Sequence, residues 1–238
     1  MKGTTLAVNY IGARGFDLFR SLDINAPPPP LYAARPDPTH VVIRQIQSVG
    51  RQITHSFQTT LRGKVTRFFT LSIQYTLASA HNDTNGIGSM PPNTYDLTGE
   101  WARASFHERH RFDLMGSIKP GPWFTLGIAY SVRSGRPYTL TTGIDAYNTG
   151  NANARPDGVG RNSLQGPGSS RLDLRWSHEL PLGKGEDGPK LTFGIDAFNI
   201  MNRVNYTGYI GNMRSPFFGR AISAQPGRRL QLSLKFEM

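Results

Sequence analysis

The chain has 238 residues, a formal net charge of +11, 37% hydrophobic residues and no cysteine. The lack of cysteine excludes a disulfide framework and a thiolate metal site. The longest strictly apolar run, Leu31 to Ala34, excludes a transmembrane helix, which needs about 20 mostly apolar residues. A transmembrane β-barrel stays possible, because each of its strands shows only one face to lipid.

Apolar and polar residues alternate along most of the chain, and this pattern predicts strands because successive side chains of a strand point to opposite faces. Eight strands are predicted in chain order, with the first one weak: Leu6–Tyr10, Ile53–Leu61, Phe69–Leu77, Phe112–Ile118, Phe124–Val132, Leu172–Leu180, Leu191–Ala197 and Leu230–Met238. In the last strand every second residue is apolar and every residue between is polar. Several runs reach the roughly 9–11 residues that a tilted membrane strand needs.

The links between these strands alternate strictly between long and short. The long links are roughly Ile11–Gly50, Ala80–Glu108, Arg133–Ser169 and Val204–Gly227, and the short links are Gly63–Thr66, Lys119–Pro122 and Pro181–Pro189. Outer-membrane barrels have short periplasmic turns and longer extracellular loops. The pattern therefore predicts an all-β fold, an antiparallel up-and-down transmembrane β-barrel with about eight strands in this chain.

Six segments occur in an order that is typical of one family. They are Glu108–Asp113, Ser134–Tyr138, Arg155–Ser163, Phe198–Tyr206, Phe217–Ala221 and Arg228–Phe236. With them the chain resembles, over almost its whole length, the C-terminal barrel of TonB-dependent receptors of the Oar-like group. The resemblance implies that residues 1–238 are the last eight or so strands of a 22-stranded barrel. It also implies that the plug domain and the signal peptide of such a receptor are absent from this sequence.

The resemblance further implies an outer-membrane receptor or transporter that takes up an unidentified substrate with energy delivered through TonB. The implied partners are outer-membrane lipid and lipopolysaccharide, the receptor's own plug domain, TonB and the barrel assembly machinery. No nucleic-acid partner is expected. A nucleic-acid site would need aromatic side chains on the basic face, whereas here the aromatic residues fall on the apolar face.

No arrangement of residues predicts catalysis, a cofactor or a metal ion. His107 and His110 flank Glu108, but their spacing is not the helical spacing of a zinc protease. The loop from Asp145 to Asp157 is rich in Asn and Ala where relatives carry several carboxylates, and Ca²⁺ prefers several charged oxygen ligands. We therefore expect a protein that is not an enzyme.

Two groups of polar residues are candidate contacts with a substrate or the plug. They are Arg155, Asp157, Arg161 and Asn162 in the third long link, and Arg171 and Arg175 on the polar face of the next strand. The two arginines of the strand are expected to face the lumen, because arginine on the lipid face costs roughly 2–4 kcal/mol at mid-membrane. For the loop residues a structural role is favoured, in which Gly, Pro and Asn shape the loop while Arg and Asp tie it down.

Three alternatives remain open on the sequence alone. The first is a stand-alone eight-stranded barrel, since eight strands can close on themselves. The second is a soluble basic β-protein that binds nucleic acid. The third is a secreted β-sandwich adhesin, which would share the strands but not the strict alternation of short and long links.

Overall fold

The chain forms one antiparallel meander in which strands that follow each other in sequence lie side by side in the sheet. The computed structural model describes residues 3–121, 123–183 and 188–237. Pro122 and Met238, which the sequence analysis placed in a turn and in the last strand, lie outside these ranges. The described ranges contain no helix that is long and apolar enough to cross a membrane.

Thirteen strands and one short 3₁₀ helix make up the described structure. In chain order the strands are β1 (Thr4–Asp23), β2 (Arg44–Thr66), β3 (Phe69–Asn82), β4 (Ala102–Arg103), β5 (His110–Gly121), β6 (Phe124–Arg133), β7 (Pro137–Tyr138), β8 (Leu164–Gln165), β9 (Ser169–Pro181), β10 (Lys190–Phe198), β11 (Tyr206–Tyr209), β12 (Ala221–Ala224) and β13 (Arg229–Glu237). The 3₁₀ helix spans Thr98–Glu100.

The eight long strands form the main sheet in the order β1-β2-β3-β5-β6-β9-β10-β13. This confirms the predicted all-β, antiparallel fold and the eight predicted strands. Because the meander is strictly antiparallel, all long links emerge at one end of the sheet, here called the loop rim. The short links emerge at the other end, the turn rim. The loops of the loop rim are L1 (residues 24–43), L2 (83–109), L3 (134–168) and L4 (199–228).

The first hairpin is much longer than predicted. The sequence analysis assigned residues 11–50 to a loop, but β1 has 20 residues and β2 has 23. The alternation was hidden because the pairing register shifts between Gly15 and Leu18 and again between Leu18 and Phe19. Such a bulge inserts extra residues and breaks the period of two. The hairpin therefore extends about ten residues beyond the length of a membrane strand.

Two further boundaries differ from the prediction. The segment Gly63–Thr66 belongs to β2, so the turn between β2 and β3 consists of residues 67–68. Lys119 likewise belongs to β5. The long loops also contain paired strands of their own, because β4 adds to β3, β7 pairs with β8, and β11 pairs with β12.

The two faces of the main sheet differ sharply in polarity. Directly opposed side chains form continuous apolar rows on one face. One row contains Leu6, Leu61, Ile73, Leu114, Tyr130 and Leu172, and another contains Phe69, Ile118, Leu126, Trp176, Ile195 and Leu232. The opposite face carries rows such as Gln74, Asp113, Ser131 and Arg171.

No second layer covers the apolar face in the described part of the chain. Large apolar side chains there stay exposed, with Leu232 at 78%. The buried apolar residues are few, five alanines and Leu22, and the three largest fully buried side chains, Asn25, Asn199 and Asn205, lie in the loops. A β-sandwich would instead pack two apolar faces together, so the architecture argues against the sandwich alternative.

The outer edges of the sheet are open. Within the described residues, β2 is the only strand that pairs with β1 and β10 is the only strand that pairs with β13; β1 makes one further isolated bridge, between Arg20 and Gly86 of L2. The main sheet therefore has two free edges, one on β1 and one on β13.

Candidate functional site

A layer of polar contacts joins the loops at the loop rim, and Arg161 of L3 lies at its centre. The Arg161 side chain is 6% exposed and its Nε lies 3.6 Å from Oε2 of Glu100, whose side chain is 7% exposed. Its Nη2 donates to the backbone carbonyl of Asn82 at 2.8 Å, and its Nη1 donates to Asn85. One guanidinium thus connects L3 with the end of β3 and with both halves of L2.

The buried carboxylate of this cluster is compensated by ion pairs. Arg155 also pairs with Glu100, on the other carboxylate oxygen. Burial lowers the pKa of Arg161, and the Glu100 carboxylate opposes this effect. Because arginine keeps its proton in proteins, the result is a buried carboxylate held between two cations. A buried charge is tolerated only when it is paired and hydrogen-bonded in this way.

Asn162 fixes the backbone next to Arg161. Its φ is 54°, in the left-handed region that Asn tolerates better than most residues. Its Nδ2 donates to the carbonyl of Arg103 at 2.6 Å, and its Oδ1 accepts from Thr139 at 3.1 Å. Arg103 in turn donates to the carbonyl of Asn162 at 2.8 Å. The pair closes L3 onto β4.

Asp157 has a different environment. It is exposed and lines an open cavity of about 250 Å³ together with Asp96, Tyr147 and Arg155. Burial raises the pKa of Tyr147. Hydrogen bonds from the backbone and hydroxyl of Thr98 lower the pKa of Asp96, which stays charged. This cavity offers two carboxylates and one phenol to solvent.

The long first hairpin is tied into the same layer. Arg20 pairs with Asp83 at 2.9 Å, and both side chains are buried. In L1, Arg35 pairs with Asp23 at 3.1 Å and donates to the carbonyl of Thr149 in L3 at 2.7 Å. L1, L2 and L3 therefore form one connected layer.

Arg171 and Arg175 lie on the polar face of the sheet, apart from the loop contacts. Arg171 pairs with Asp173 at 2.7 Å, and Arg175 lies 3.6 Å from Asp196 while staying 67% exposed. Arg133 and Asp113 pair on the same face at 3.3 Å. This face is a surface of partly exposed ion pairs rather than a packed core.

The structure thus separates the six candidate residues into groups. Arg155, Arg161 and Asn162 hold loops together, Asp157 borders a cavity, and Arg171 and Arg175 line the sheet face. The sequence analysis missed Glu100 and Arg20, because their partners lie 55 or more positions away along the chain. Among the described residues, no three His, Asp or Glu side chains are close enough to hold a metal ion.

A protein-family model described as outer membrane beta barrel domain matches residues 1–160. This chain belongs to the outer membrane beta barrel domain family. It is therefore a protein of the bacterial outer membrane, and the apolar rows of its sheet form the lipid face. In such barrels the longer loops are extracellular, which places the loop rim outside the cell and the turn rim in the periplasm.

The solved structure of an outer-membrane transporter resembles this barrel protein in fold. The outer membrane transporter YddB from Escherichia coli aligns with a TM-score of 0.65 and 14% identity, over 98% of this chain and 30% of the YddB chain. The closed form of the ferric-catecholate import receptor Fiu from E. coli K12 aligns with a TM-score of 0.48 and 12% identity, over 80% of this chain and 22% of that chain. The chain thus spans less than a third of the transporter chains that it matches. No curated protein sequence matches it.

Proposed function

We propose that this chain is the C-terminal sector of a TonB-dependent transporter barrel of the Oar-like group, which takes up a substrate across the outer membrane. The observation that carries the proposal is the pair of free edges on β1 and β13. Lipid does not tolerate an open sheet edge, because unpaired backbone groups have no water to bond with. Further strands that pair with both edges in a larger barrel would satisfy these backbone groups.

The competing account is an eight-stranded barrel in which β1 pairs directly with β13. Cysteine cross-linking distinguishes the larger barrel from the eight-stranded barrel, since the chain has no cysteine of its own. We expect Leu6→Cys with Leu232→Cys to form no disulfide in the outer membrane. The pair Ile195→Cys with Leu232→Cys, which are directly opposed across β10 and β13, serves as the positive control. A disulfide in the first pair at the yield of the control would refute the larger barrel.

Coupling to TonB is the second part of the proposal. A sheet whose inner face carries exposed ion pairs such as Arg175 with Asp196 suits a wet lumen that a plug domain can occupy. In this account the barrel performs no chemistry, and transport energy comes from the inner membrane. Photo-cross-linking in living cells should capture TonB with the outer-membrane protein that contains this chain, and collapsing the proton gradient should change the yield. A protein that is inserted but never captures TonB would contradict this part.

Within that transporter the six candidate residues have different parts. Asp157, at the open cavity, is the one we expect to meet a substrate. Arg155, Arg161 and Asn162 hold the extracellular loops in shape, and Arg171 and Arg175 face the lumen and the plug. The remaining partners are lipopolysaccharide, membrane lipid and the barrel assembly machinery.

A further inference from the structure

The lipid face of the first hairpin changes in character toward the outside of the membrane. Its outward residues follow in order from the apolar pair Leu6–Leu61 through the aromatic pair Tyr10–Phe57 to Arg14, which lies opposite Ile53. At about 3.3 Å per residue, Arg14 lies about 13 Å along the strand beyond Tyr10. For a tilt of about 40° this is about 10 Å along the membrane normal.

Two matching pairs mark the level of the membrane boundary. The Tyr10 hydroxyl and His55 Nδ1 are 2.7 Å apart, and the Tyr75 hydroxyl and His110 Nδ1 are also 2.7 Å apart. Aromatic side chains with a polar tip are typical of the two interfaces of a membrane barrel. Arg14 therefore stands at the height of the lipid headgroups of the outer leaflet, on the side that faces lipid.

An outward groove of about 360 Å³ opens at this height, here called the hairpin groove. Its walls include Arg14, Phe16, Arg51, Ile53 and Trp101. Phe16 is 65% exposed and Trp101 is 44% exposed. Phe16 lies within the bulge of β1, between Gly15 and Leu18, and Trp101 comes from L2 just before β4 pairs with β3. The groove thus combines two arginines with three apolar walls.

The positive charge of the hairpin groove is only partly balanced by the protein. The residues that line it include no carboxylate. The nearest acidic partner of Arg51 is Asp83, at 3.9 Å from its Nε. Asp83 lies closer to the buried Arg20, at 2.9 Å, and the Arg51 side chain stays 69% exposed. The Arg14 guanidinium and the exposed part of the Arg51 guanidinium can therefore bind an anion with charge-assisted hydrogen bonds.

We propose that the hairpin groove binds a phosphorylated lipid of the outer leaflet, with the phosphate on Arg14 and Arg51 and an acyl chain along Phe16, Ile53 and Trp101. The two arginines favour an anionic ligand, and the apolar walls favour a hydrocarbon chain. Because the groove lies at the outer end of the lipid face, a lipid of the bilayer can supply both groups. The site lies on the outside of the barrel, so it is separate from the transport pathway and does not depend on coupling to TonB.

The test uses the outer-membrane protein that contains this chain, extracted from membranes and placed in phosphatidylcholine nanodiscs. Each disc carries either diphosphoryl lipid A or the same lipid after removal of its phosphates, and the lipid A retained on the purified protein is counted by mass spectrometry. The wild-type protein should retain the phosphorylated form and release the dephosphorylated form. Equal retention of the two forms would overturn the proposal without any variant.

The variant R14A/R51A should retain at least about tenfold less phosphorylated lipid, a factor that one charge-assisted hydrogen bond can supply. The matched control R214A/R228A removes two exposed arginines from L4 and should retain as much lipid as the wild-type protein. An equal loss in both double variants would show only a general charge effect and would overturn the assignment of the groove.

Discussion

Single buried residues stabilise the extracellular loop layer, and Arg161 is one of them. It connects Glu100, Asn82 and Asn85 from one buried position. A buried ion pair adds little when compared with apolar packing, but removing one partner leaves a buried charge without compensation. The loop layer is therefore destabilised by the loss of either the arginine or the carboxylate.

Replacing Arg161 with Ala should destabilise the loop layer by about 3–5 kcal/mol, the range for breaking a buried pair. The expected readout is faster hydrogen exchange in L2 and L3, with the strands of the sheet unaffected. Arg214→Ala, an exposed arginine of L4, is the matched control. Unchanged exchange in the Arg161 variant would mean that Arg155 alone satisfies Glu100.

His107 should make the same layer sensitive to acid. Its Nδ1 accepts a hydrogen bond from the backbone N–H of Ala80 at 3.0 Å, which requires an unprotonated nitrogen. Burial is the main cause that lowers the pKa of His107 below its usual value, and the positive charge of Arg103 adds to the effect. A lowered folded-state pKa contributes stability above the unfolded pKa of about 6.5, and that stability is lost as the pH falls through the folded value.

Hydrogen exchange at Ala80, corrected for intrinsic rates, should therefore accelerate as the pH falls below about 6.5. His107→Gln keeps an acceptor without a titrating group and should remove this acid response. His40→Gln, at an exposed position of L1, should leave it in place. An acid response that survives in His107→Gln would assign the effect to another group.

Among the elements, the strands were predictable and the loop contacts were not. The apolar–polar alternation from Leu230 onward marks β13 without any tertiary information. In β1 the bulge after Gly15 hid the outer half of the strand. The hydrogen bond between Arg161 and Asn82 joins residues that are 79 positions apart, and the sequence around either residue gives no indication of its partner. Sequence reasoning could place Arg161 in a loop but could not supply its partners.

A proline in a central strand should prevent assembly. Thr60 of β2 pairs with Ala7 on one side and Gln74 on the other, so Thr60→Pro removes a ladder donor that lipid cannot replace. Heat-dependent migration on detergent gels reports the folded fraction, which should fall strongly. Val41→Pro, another β-branched residue but in L1, is the control and should assemble normally. Normal assembly of the Thr60 variant would contradict the position of β2 between two strands.

For the whole molecule, the decisive property is which face meets lipid. The apolar rows run across every long strand, while the ion pairs stay on the other face. The barrel thus has a hydrocarbon-facing outside and a charged inside, the reverse of a soluble β-protein.

Adjacent positions in the middle of β6 test this polarity. Ile128 lies on the lipid face opposite Leu174, and Ala129 lies on the inner face opposite Asp173. Ile128→Arg should cost about 2–4 kcal/mol at mid-membrane and lower the yield of folded protein in lipid vesicles. Ala129→Arg places the same charge beside a carboxylate and should fold nearly as well as the wild-type protein. A lower folded yield for the Ala129 variant than for the Ile128 variant would reverse the assignment of the two faces.

The ties between distant loops also set an order of events during assembly. Neighbouring strands of the meander are neighbours in sequence, so the sheet can grow one hairpin at a time, each closing only the loop between two consecutive strands. The guanidinium of Arg161 cannot reach Glu100, 61 positions earlier, until β3, β5 and β6 are in place. The contacts between the extracellular loops should therefore form only after most of the sheet has formed. The time at which Arg161 becomes protected from chemical labelling would report the last stage of insertion.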